Sequence, residues 1–313
     1  MMYLVTGGAG FIGSHIVDAL VKRGEQVRVL DDFSSGKWEN LQHVRDVIEV
    51  IQGDIRNQDT VRTAMSGVDY VSHQASLRSV PKSMTRPLEY NEVNVGGTLN
   101  ILVTAREHKV KKVVYASSSS IYSNKLCFPQ SEPDAIGVCP ISPYALTKKI
   151  GEAYCQLFAE VYALPTISLR YFNVYGPRQS LEDDYAVVVP KFITALLKGE
   201  ALPIYGDGTQ SRDFTYISDV VEANLKALES PAGLGTAYNV ACGKTHTVLD
   251  LAQAIGKILA SEARYCFLPP RNGDVKKTHA NIRMINTDLG WEPHISFKEG
   301  LHQTVTWFKE HIS

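Results

Sequence analysis

The sequence predicts an α/β fold in which a doubly wound parallel sheet is followed by a smaller C-terminal α/β lobe. Three observations carry this expectation. Up to about residue 173, short apolar runs rich in β-branched residues alternate with longer amphipathic stretches, as in successive βαβ units. A glycine loop from Thr6 to Gly13 joins the first run to the first amphipathic stretch. After Tyr171 the rhythm gives way to loops punctuated by proline and glycine, with further amphipathic stretches between them.

Taken in order, the strands expected in the first part are Tyr3–Thr6, Gln26–Leu30, Val47–Gln52, Tyr70–His73, Lys112–Ala116 and Thr166–Arg170. Each is short and apolar, which suits strands buried on both faces. Helices are expected at Ile12–Arg23, Gln58–Met65, Leu88–His108 and Pro143–Tyr162, where apolar residues recur at helical spacing. In the second part, helices are expected near Pro190–Lys198, Ser218–Glu229, Val248–Leu259 and Phe297–Lys309. The division is residues 1–173 for a dinucleotide-binding domain, which takes back a later strand near 237–240, and 174–313 for a substrate-binding domain. No repeat or flexible linker interrupts the chain, so two lobes packed around one cleft are expected.

Composition narrows the function. The 313 residues are 44% hydrophobic and 21% charged with a formal net charge of −1, the balance of an ordinary soluble globular protein. No basic excess is available to grip a phosphate backbone, so nucleic acid is not an expected partner. The first apolar stretch runs straight into the glycine loop, and no stretch approaches the ~20 apolar residues of a membrane span. A cytoplasmic location with no membrane partner is therefore expected. Five cysteines, Cys127, Cys139, Cys155, Cys242 and Cys266, show no paired metal spacing, and the nine histidines form no HExxH-type cluster. Reduced thiols and no metal site are the expectation.

The loop Thr6-Gly7-Gly8-Ala9-Gly10-Phe11-Ile12-Gly13 sits between a strand and a helix, the context of a dinucleotide fingerprint in a Rossmann-like sheet. Small residues let the backbone approach a pyrophosphate, and the helix N-terminus offers free N–H groups and partial positive charge. Asp31 lies 18 residues past Gly13 at the end of the second strand, close to the ~20-residue offset at which a carboxylate takes ribose hydroxyls. An acid there repels a 2′-phosphate, which favours NAD over NADP, with Arg28 and Lys37 as nearby opposing charges. The glycines at 7, 10 and 13 have the GxxGxxG spacing that resembles short-chain dehydrogenases/reductases. That resemblance implies that Asp32, Phe33, Ser34, Ser35 and Gly36 surround the adenosine ribose and that Gly53, Asp54 and Ile55 meet the adenine. It further places Gln74, Ala75 and Ser76 on the pyrophosphate and nicotinamide side, Asn94 behind the cofactor, and Ala116, Ser117 and Tyr171 along the cofactor site.

Tyr144 and Lys148 stand at i and i+4, hence on one helix face about one turn apart. A cation near a phenol stabilises phenolate and brings a group of ordinary pKa ~10 toward working pH. The preceding run Ala116-Ser117-Ser118-Ser119-Ser120-Ile121-Tyr122 resembles the SSSxxVYG segment of UDP-galactose 4-epimerases, which makes Ser118 the match for their catalytic serine or threonine. Ser118, Tyr144 and Lys148 are thus the catalytic residues the resemblance implies. The family glycine after VY is Ser123 in this chain, a departure that bears on the turn.

Further motifs follow in the second part: Arg170 to Gln179, Val188-Val189-Pro190, Ile204 to Gly208, Arg212-Asp213-Phe214 and Pro270 to Asp274. Together they resemble extended short-chain dehydrogenases/reductases of the UDP-glucose and UDP-N-acetylglucosamine 4-epimerase type. The resemblance implies that Asn173 meets the diphosphate or sugar, Val188 and Tyr205 the uridine, and Arg212 and Arg271 the phosphates. The guanidinium fork suits that last task. Arg78, Ser79, Ser119, Ser120, Val189, Pro203 and Asp274 complete the implied substrate side. Thr278, four residues after the aspartate of the Gly273-Asp274 pair, matches a position that lines the sugar pocket; a residue this small implies room for an N-acetyl group. Ala280-Asn281 stands where the family usually has alanine and aspartate.

The implied reaction is NAD-dependent C4 epimerisation of a UDP-hexose through a 4-keto intermediate, by a homodimer that pairs the two long helices into a four-helix interface. The nearest enzyme rivals are the 4,6-dehydratases and the decarboxylases, with UDP-glucuronate epimerisation beside them. The 4,6-dehydratases follow their catalytic threonine with an aspartate and a glutamate, whereas Ser119 and Ser120 occupy those positions. UDP-glucuronate epimerisation remains open, since Arg78 and the extra serines could receive a carboxylate. The non-enzyme alternative is an NAD-binding sensor or scaffold that has kept the fold.

Overall fold

The structure is a computed structural model and describes residues 1–123, 127–180, 188–270 and 275–311. The first half alternates as expected: β1 (Met2–Thr6), α1 (Phe11–Lys22), β2 (Gln26–Asp31), β3 (Glu49–Gln52), α2 (Gln58–Met65), β4 (Tyr70–His73), α3 (Val80–Thr85), α4 (Pro87–Asn91), α5 (Thr98–Glu107), β5 (Lys112–Ser118), α6 (Pro143–Tyr162) and β6 (Thr166–Tyr171). Then come β7 (Val174–Tyr175), α7 (Val188–Leu197), β8 (Leu202–Tyr205), β9 (Ser211–Asp213), β10 (Thr215–Tyr216), α8 (Ile217–Glu229), β11 (Thr236–Val240), β12 (Thr245–Thr247), α9 (Val248–Leu259), β13 (Tyr265–Leu268), α10 (Arg283–Leu289) and α11 (Phe297–His311).

A seven-stranded parallel sheet runs in the order β3-β2-β1-β4-β5-β6-β11. The chain moves outward from β1 to β3 and then returns past β1 to β4, so the strand order reverses between β1 and β4. In open α/β sheets a ligand cleft forms beyond the strand ends at that point. The strands beside it are buried on both faces: every residue of β6 and all but the last of β5 are buried. Ile16, Val17 and Leu20 of α1 belong to the apolar cluster on one face of the sheet, together with Val220 and Leu225 of α8. On the other face Val61 of α2, Ile101 and Leu102 of α5 and Phe158 of α6 share a second cluster.

The strand anticipated near 237–240 is β11, which joins the sheet beside β6 with Tyr238 opposite Leu169. Other elements depart from expectation. The strand expected from Val47 begins at Glu49, because Gln42–Val47 forms a 3-10 helix. The helix expected over Leu88–His108 is interrupted by a π-helical turn, Glu92–Gly97. That turn carries Asn94 inward, and Gly97 packs so closely on Ile55 that a Cβ would lie 2.5 Å from the Ile55 Cδ1. β5 runs two residues further than expected, since Ser117 and Ser118 continue the ladder opposite Arg170 and Tyr171. Helices α3 and α10 were not anticipated. Among the described residues no helix is long and apolar enough to cross a membrane.

Candidate active site

Beyond the carboxyl ends of β1, β2, β4 and β5 lies a cleft of about 1010 Å³. Gly7 forms its floor at φ +66°, where a Cβ would come within 2.7 Å of the Ala75 nitrogen, and a Cβ on Gly13 would lie 2.1 Å from the Gly7 oxygen. Only glycine fits either position. Gly10 precedes α1 in an extended conformation and no side chain caps the helix, so the first-turn N–H groups face the cleft without a protein acceptor from a capping side chain. These features fit a pyrophosphate.

Asp31 is buried, and its two oxygens accept the Ala9 N–H at 2.9 Å and the Phe33 N–H at 2.8 Å. Burial pushes its pKa up and the two amides pull it down. The carboxyl therefore ties the glycine loop to the β2 end while lining the cleft with Asp32. Of the two nearby cations, Arg28 is committed elsewhere, to Glu49 at 2.7 Å and to the carbonyls of Ala64 and Ser66. Lys37 lines the cleft. Two acids and one lysine at the ribose end fit NAD.

The expected cofactor residues Gly7, Gly10, Phe11, Ile12, Gly13, Asp31, Asp32, Ser34, Ser35, Asp54, Ile55, Gln74, Ala75, Ser76, Ala116, Ser117, Tyr144, Lys148 and Tyr171 all line this one cleft, as does Arg78. Three others stand behind its wall. Phe33 stacks on Trp38 at 4.4 Å. Gly36 packs where a Cβ would meet Ala9 and Asp31 at 2.8 Å. Asn94 bonds both the N–H and the carbonyl of Leu77, at 2.8 and 2.9 Å, and donates to Thr147 Oγ1 at 3.0 Å.

The far wall is the buried face of α6. Lys148 Nζ donates to Ser76 Oγ at 3.0 Å and to the Ala116 carbonyl at 2.8 Å. It lies 6.0 Å from the Tyr144 ring centroid. Burial lowers the Lys148 pKa to about 7. Burial also raises the pKa of the Tyr144 phenol, opposed by a hydrogen bond with Ser118 and by the charge of Arg78. Among the protein's own groups desolvation dominates at the phenol, and Ser118 and Arg78 are the groups that counter it. Ser118 opens a 3-10 turn, its Oγ 2.7 Å from Ser120 Oγ; Ser119 follows it in the same turn. Ser79 caps α3 and its N–H donates to the Tyr90 hydroxyl at 3.0 Å.

Of the second-lobe residues expected to bind substrate, Thr278 and Asn173 meet directly, and none of those described lines the cleft of the glycine loop. Thr278 Oγ1 donates to Asn173 Oδ1 at 3.0 Å and accepts the Asp213 N–H at 3.1 Å, while Arg212, beside it on β9, donates to the Ser211 carbonyl. Val188 and Val189 begin α7, and Pro203 and Tyr205 lie on β8. Arg271 and Asp274 lie outside the described residues. Among the described residues no group of three or more His, Cys, Asp or Glu could hold a metal. Ser123 takes φ +54°, ψ −132°, a conformation suited to the glycine it replaces. Asn281 bonds Ser131 Oγ and caps the Arg283 N–H.

Sequence reasoning missed several lining residues. Arg178 and Gln179 close the motif that begins at Arg170, so their signal was present; Arg178 pairs with Asp18 of α1 at 2.8 Å. Trp307, Phe308 and His311 reach the cleft from α11, far along the chain and with no local mark.

A glycine loop at the sheet's switch point facing a Tyr/Lys helix defines an extended short-chain dehydrogenase/reductase. The chain belongs to the NAD dependent epimerase/dehydratase family, whose model matches residues 3–241. It is 38% identical to a UDP-glucose 4-epimerase of Mycolicibacterium smegmatis over 313 residues, covering 99% of each chain. Its fold matches the UDP-N-acetylglucosamine 4-epimerase of Methanobrevibacter ruminantium in complex with UDP-N-acetylmuramic acid, at 40% identity and a TM-score of 0.94 over 99% of this chain and 98% of that one. It also matches the UDP-glucose 4-epimerase of Thermotoga maritima with UDP-glucose, at 38% identity and a TM-score of 0.95 over the whole of both chains.

Proposed function

We propose that this chain is an NAD-dependent isomerase that inverts C4 of a UDP-hexose, interconverting UDP-glucose with UDP-galactose and UDP-N-acetylglucosamine with its C4 epimer. The observation that carries the reading is that Tyr144 and Lys148, one turn apart on α6, line the same cleft as the glycine loop, with Ser118 close enough to act on the phenol. NAD, when bound, supplies the acceptor and then the donor of the C4 hydride, so that the sugar passes through a 4-keto form. Tyr144 takes the proton of the 4-hydroxyl and returns it, with Ser118 bridging substrate oxygen and phenol. Lys148 holds the cofactor side through Ser76 and Ala116, and the Arg78 charge favours phenolate. Asn173, Val188, Tyr205 and Arg212, with Arg271, grip the UDP, while a loosely held sugar turns about its diphosphate tether. Ser119 and Ser120 supply no acid or base for dehydration.

The small Thr278 leaves room for an N-acetyl group. The division at residue 173/174 assigns cofactor to the first domain, with β11 returned to it, and nucleotide-sugar to the second. Leu146, Ile150, Leu157 and Val161 form an apolar stripe on α6 opposite the Tyr144 and Lys148 face, and Leu146, Leu157 and Val161 are exposed. Beside it a groove of about 380 Å³ is lined by Pro87, Asn91, Pro140, Ile141, Leu146 and Ile150. Both features support a homodimer through a four-helix interface; a monomer mass by light scattering at micromolar concentration would refute it. The five free cysteines support a reducing, cytoplasmic location.

A second reading, UDP-glucuronate epimerisation, is favoured by one observation, the Arg78 cation close enough to act on Tyr144. Incubating the protein separately with UDP-glucose, UDP-N-acetylglucosamine and UDP-glucuronate, with products read by NMR, decides between the two. C4 epimers of the first two are expected. In Tyr144→Phe, turnover should fall on the order of 10²–10⁴-fold with NAD still bound, and parental turnover there would overturn the assignment.

A further inference from the structure

The face of α6 that presents Tyr144 and Lys148 carries a third functional group one turn further on. Glu152 is met there by Arg170 of β6 through two parallel bonds, Nε to Oε1 at 2.9 Å and Nη2 to Oε2 at 2.8 Å, with the side chains only 11% and 8% exposed. Burying two ions has a desolvation cost that their attraction barely offsets, so such a pair is weak as a source of stability. What it does provide is a charge at a defined place. Arg170 Nη1 is itself fixed by the Tyr122 hydroxyl at 2.8 Å and the Glu132 carbonyl at 2.9 Å.

The carboxylate faces the active site in two directions. Ser117 Oγ donates to Glu152 Oε1, and Ser117 both lines the cleft and immediately precedes Ser118. On the other side Lys148 stands one helical turn away. The titratable groups facing Lys148 are Tyr144, Glu152 and Cys155 on its own helix, Tyr115 of β5 with its ring centroid 5.2 Å away, and His73 of β4. His73 is neutral, its pKa pushed down to about 3 by burial. Glu152 is the anion among them.

We propose that Glu152, clamped by Arg170, is a positioning residue of the active site, seating Ser117 at the end of β5 and holding Lys148 as an ammonium beside Tyr144. The proposal rests on the reading of Tyr144 as acid and base. Burial drives Lys148 toward the neutral amine, and Cys155 and after it Glu152 act in the opposite direction; because burial pushes the Cys155 thiol up to about 12, Glu152 is the one that carries charge at working pH.

The test is the pH profile of epimerisation in NAD-loaded variants. Glu152→Gln keeps the shape and removes the charge. It should retain NAD and substrate KM, lose roughly tenfold in kcat, and move the alkaline limb of the kcat profile down by about one pH unit. Glu152→Asp keeps the charge and should leave that limb in place. Should Glu152→Gln fail to fold, the double variant Glu152→Leu, Arg170→Met replaces the pair with apolar groups, a change that buried ion pairs tolerate, and it should move the limb in the same direction by a smaller amount, because the Arg170 cation leaves with the anion. A parental kcat and pH profile in the folded Glu152→Gln or double variant, with only the melting temperature lowered, would overturn the proposal. Tyr144→Phe run alongside separates the two claims: an active Tyr144→Phe sinks the reading of the site itself, whereas an inactive one with an unmoved Glu152→Gln profile sinks only the role of Glu152.

Discussion

Thr278 illustrates how one side chain can do two jobs. In the proposed function its size leaves room in the sugar pocket, and its hydroxyl joins Asn173 to the backbone of Asp213. Thr278→Val keeps the volume and leaves both partners unsatisfied, which typically costs ~1–3 kcal/mol. UDP-sugar KM should therefore rise for both substrates in parallel. Thr278→Tyr loses the same bonds and overfills the pocket, so beyond the valine effect it should penalise the N-acetylated substrate further. Equal losses for both sugars in the two variants would show that selectivity lies elsewhere. Ser123 makes the opposite case. A serine at φ +54°, ψ −132° carries backbone strain of order 1 kcal/mol that glycine relieves. Its Oγ accepts the Ile141 N–H at 3.2 Å, which offsets part of the gain. Ser123→Gly should raise the melting temperature slightly, and a clear fall would mean that the hydroxyl bond outweighs the strain.

Elements marked by local chemistry were legible in the sequence, and those made by distant contacts were not. The glycine loop announced the β1–α1 turn because only glycine fits against Ala75 and within the loop, and the Tyr144–Lys148 spacing announced the α6 face. The π-helical break in the helix after α4 has no such mark. It exists because Asn94 reaches Leu77, seventeen residues back, and Thr147, fifty-three residues on. Glu152 likewise carries no local mark, since its partner Arg170 stands eighteen residues on and meets it only when β6 packs beside α6. The π turn leads to a prediction at this scale. Asn94→Ala removes the bonds that pin the 74–79 loop to α6, so NAD should bind more weakly and the melting temperature should fall, by an amount typical of unsatisfied buried amides, ~1–3 kcal/mol. Unchanged NAD affinity measured by calorimetry would show that the loop holds itself in place.

Across the whole molecule, the contact that joins the first βαβ unit to the segment after β7 is titratable. His15 of α1 donates from Nε2 to the Pro177 carbonyl at 3.0 Å, and burial lowers its pKa to about 4 against an ordinary 6.5. The folded chain therefore keeps this ring neutral at pH values where the unfolded chain protonates it. A depressed histidine pKa contributes stability that is full above about pH 6.5 and is lost as pH falls toward 4. Buried carboxyls act in the other direction, since Asp213, raised to about 6 by burial, favours the native state as pH falls through the same range. The net slope of the parent thus mixes opposing groups, and a difference between variants isolates one. His15→Gln can still donate to Pro177 and does not titrate. Relative to the parent it should gain about 2 kcal/mol between pH 8 and pH 5, the cost of keeping one such imidazole neutral over that interval. Urea unfolding of both proteins at the two pH values measures it directly. A stability difference between them that stays constant from pH 8 to pH 5 would mean that His15 is not held neutral at this junction.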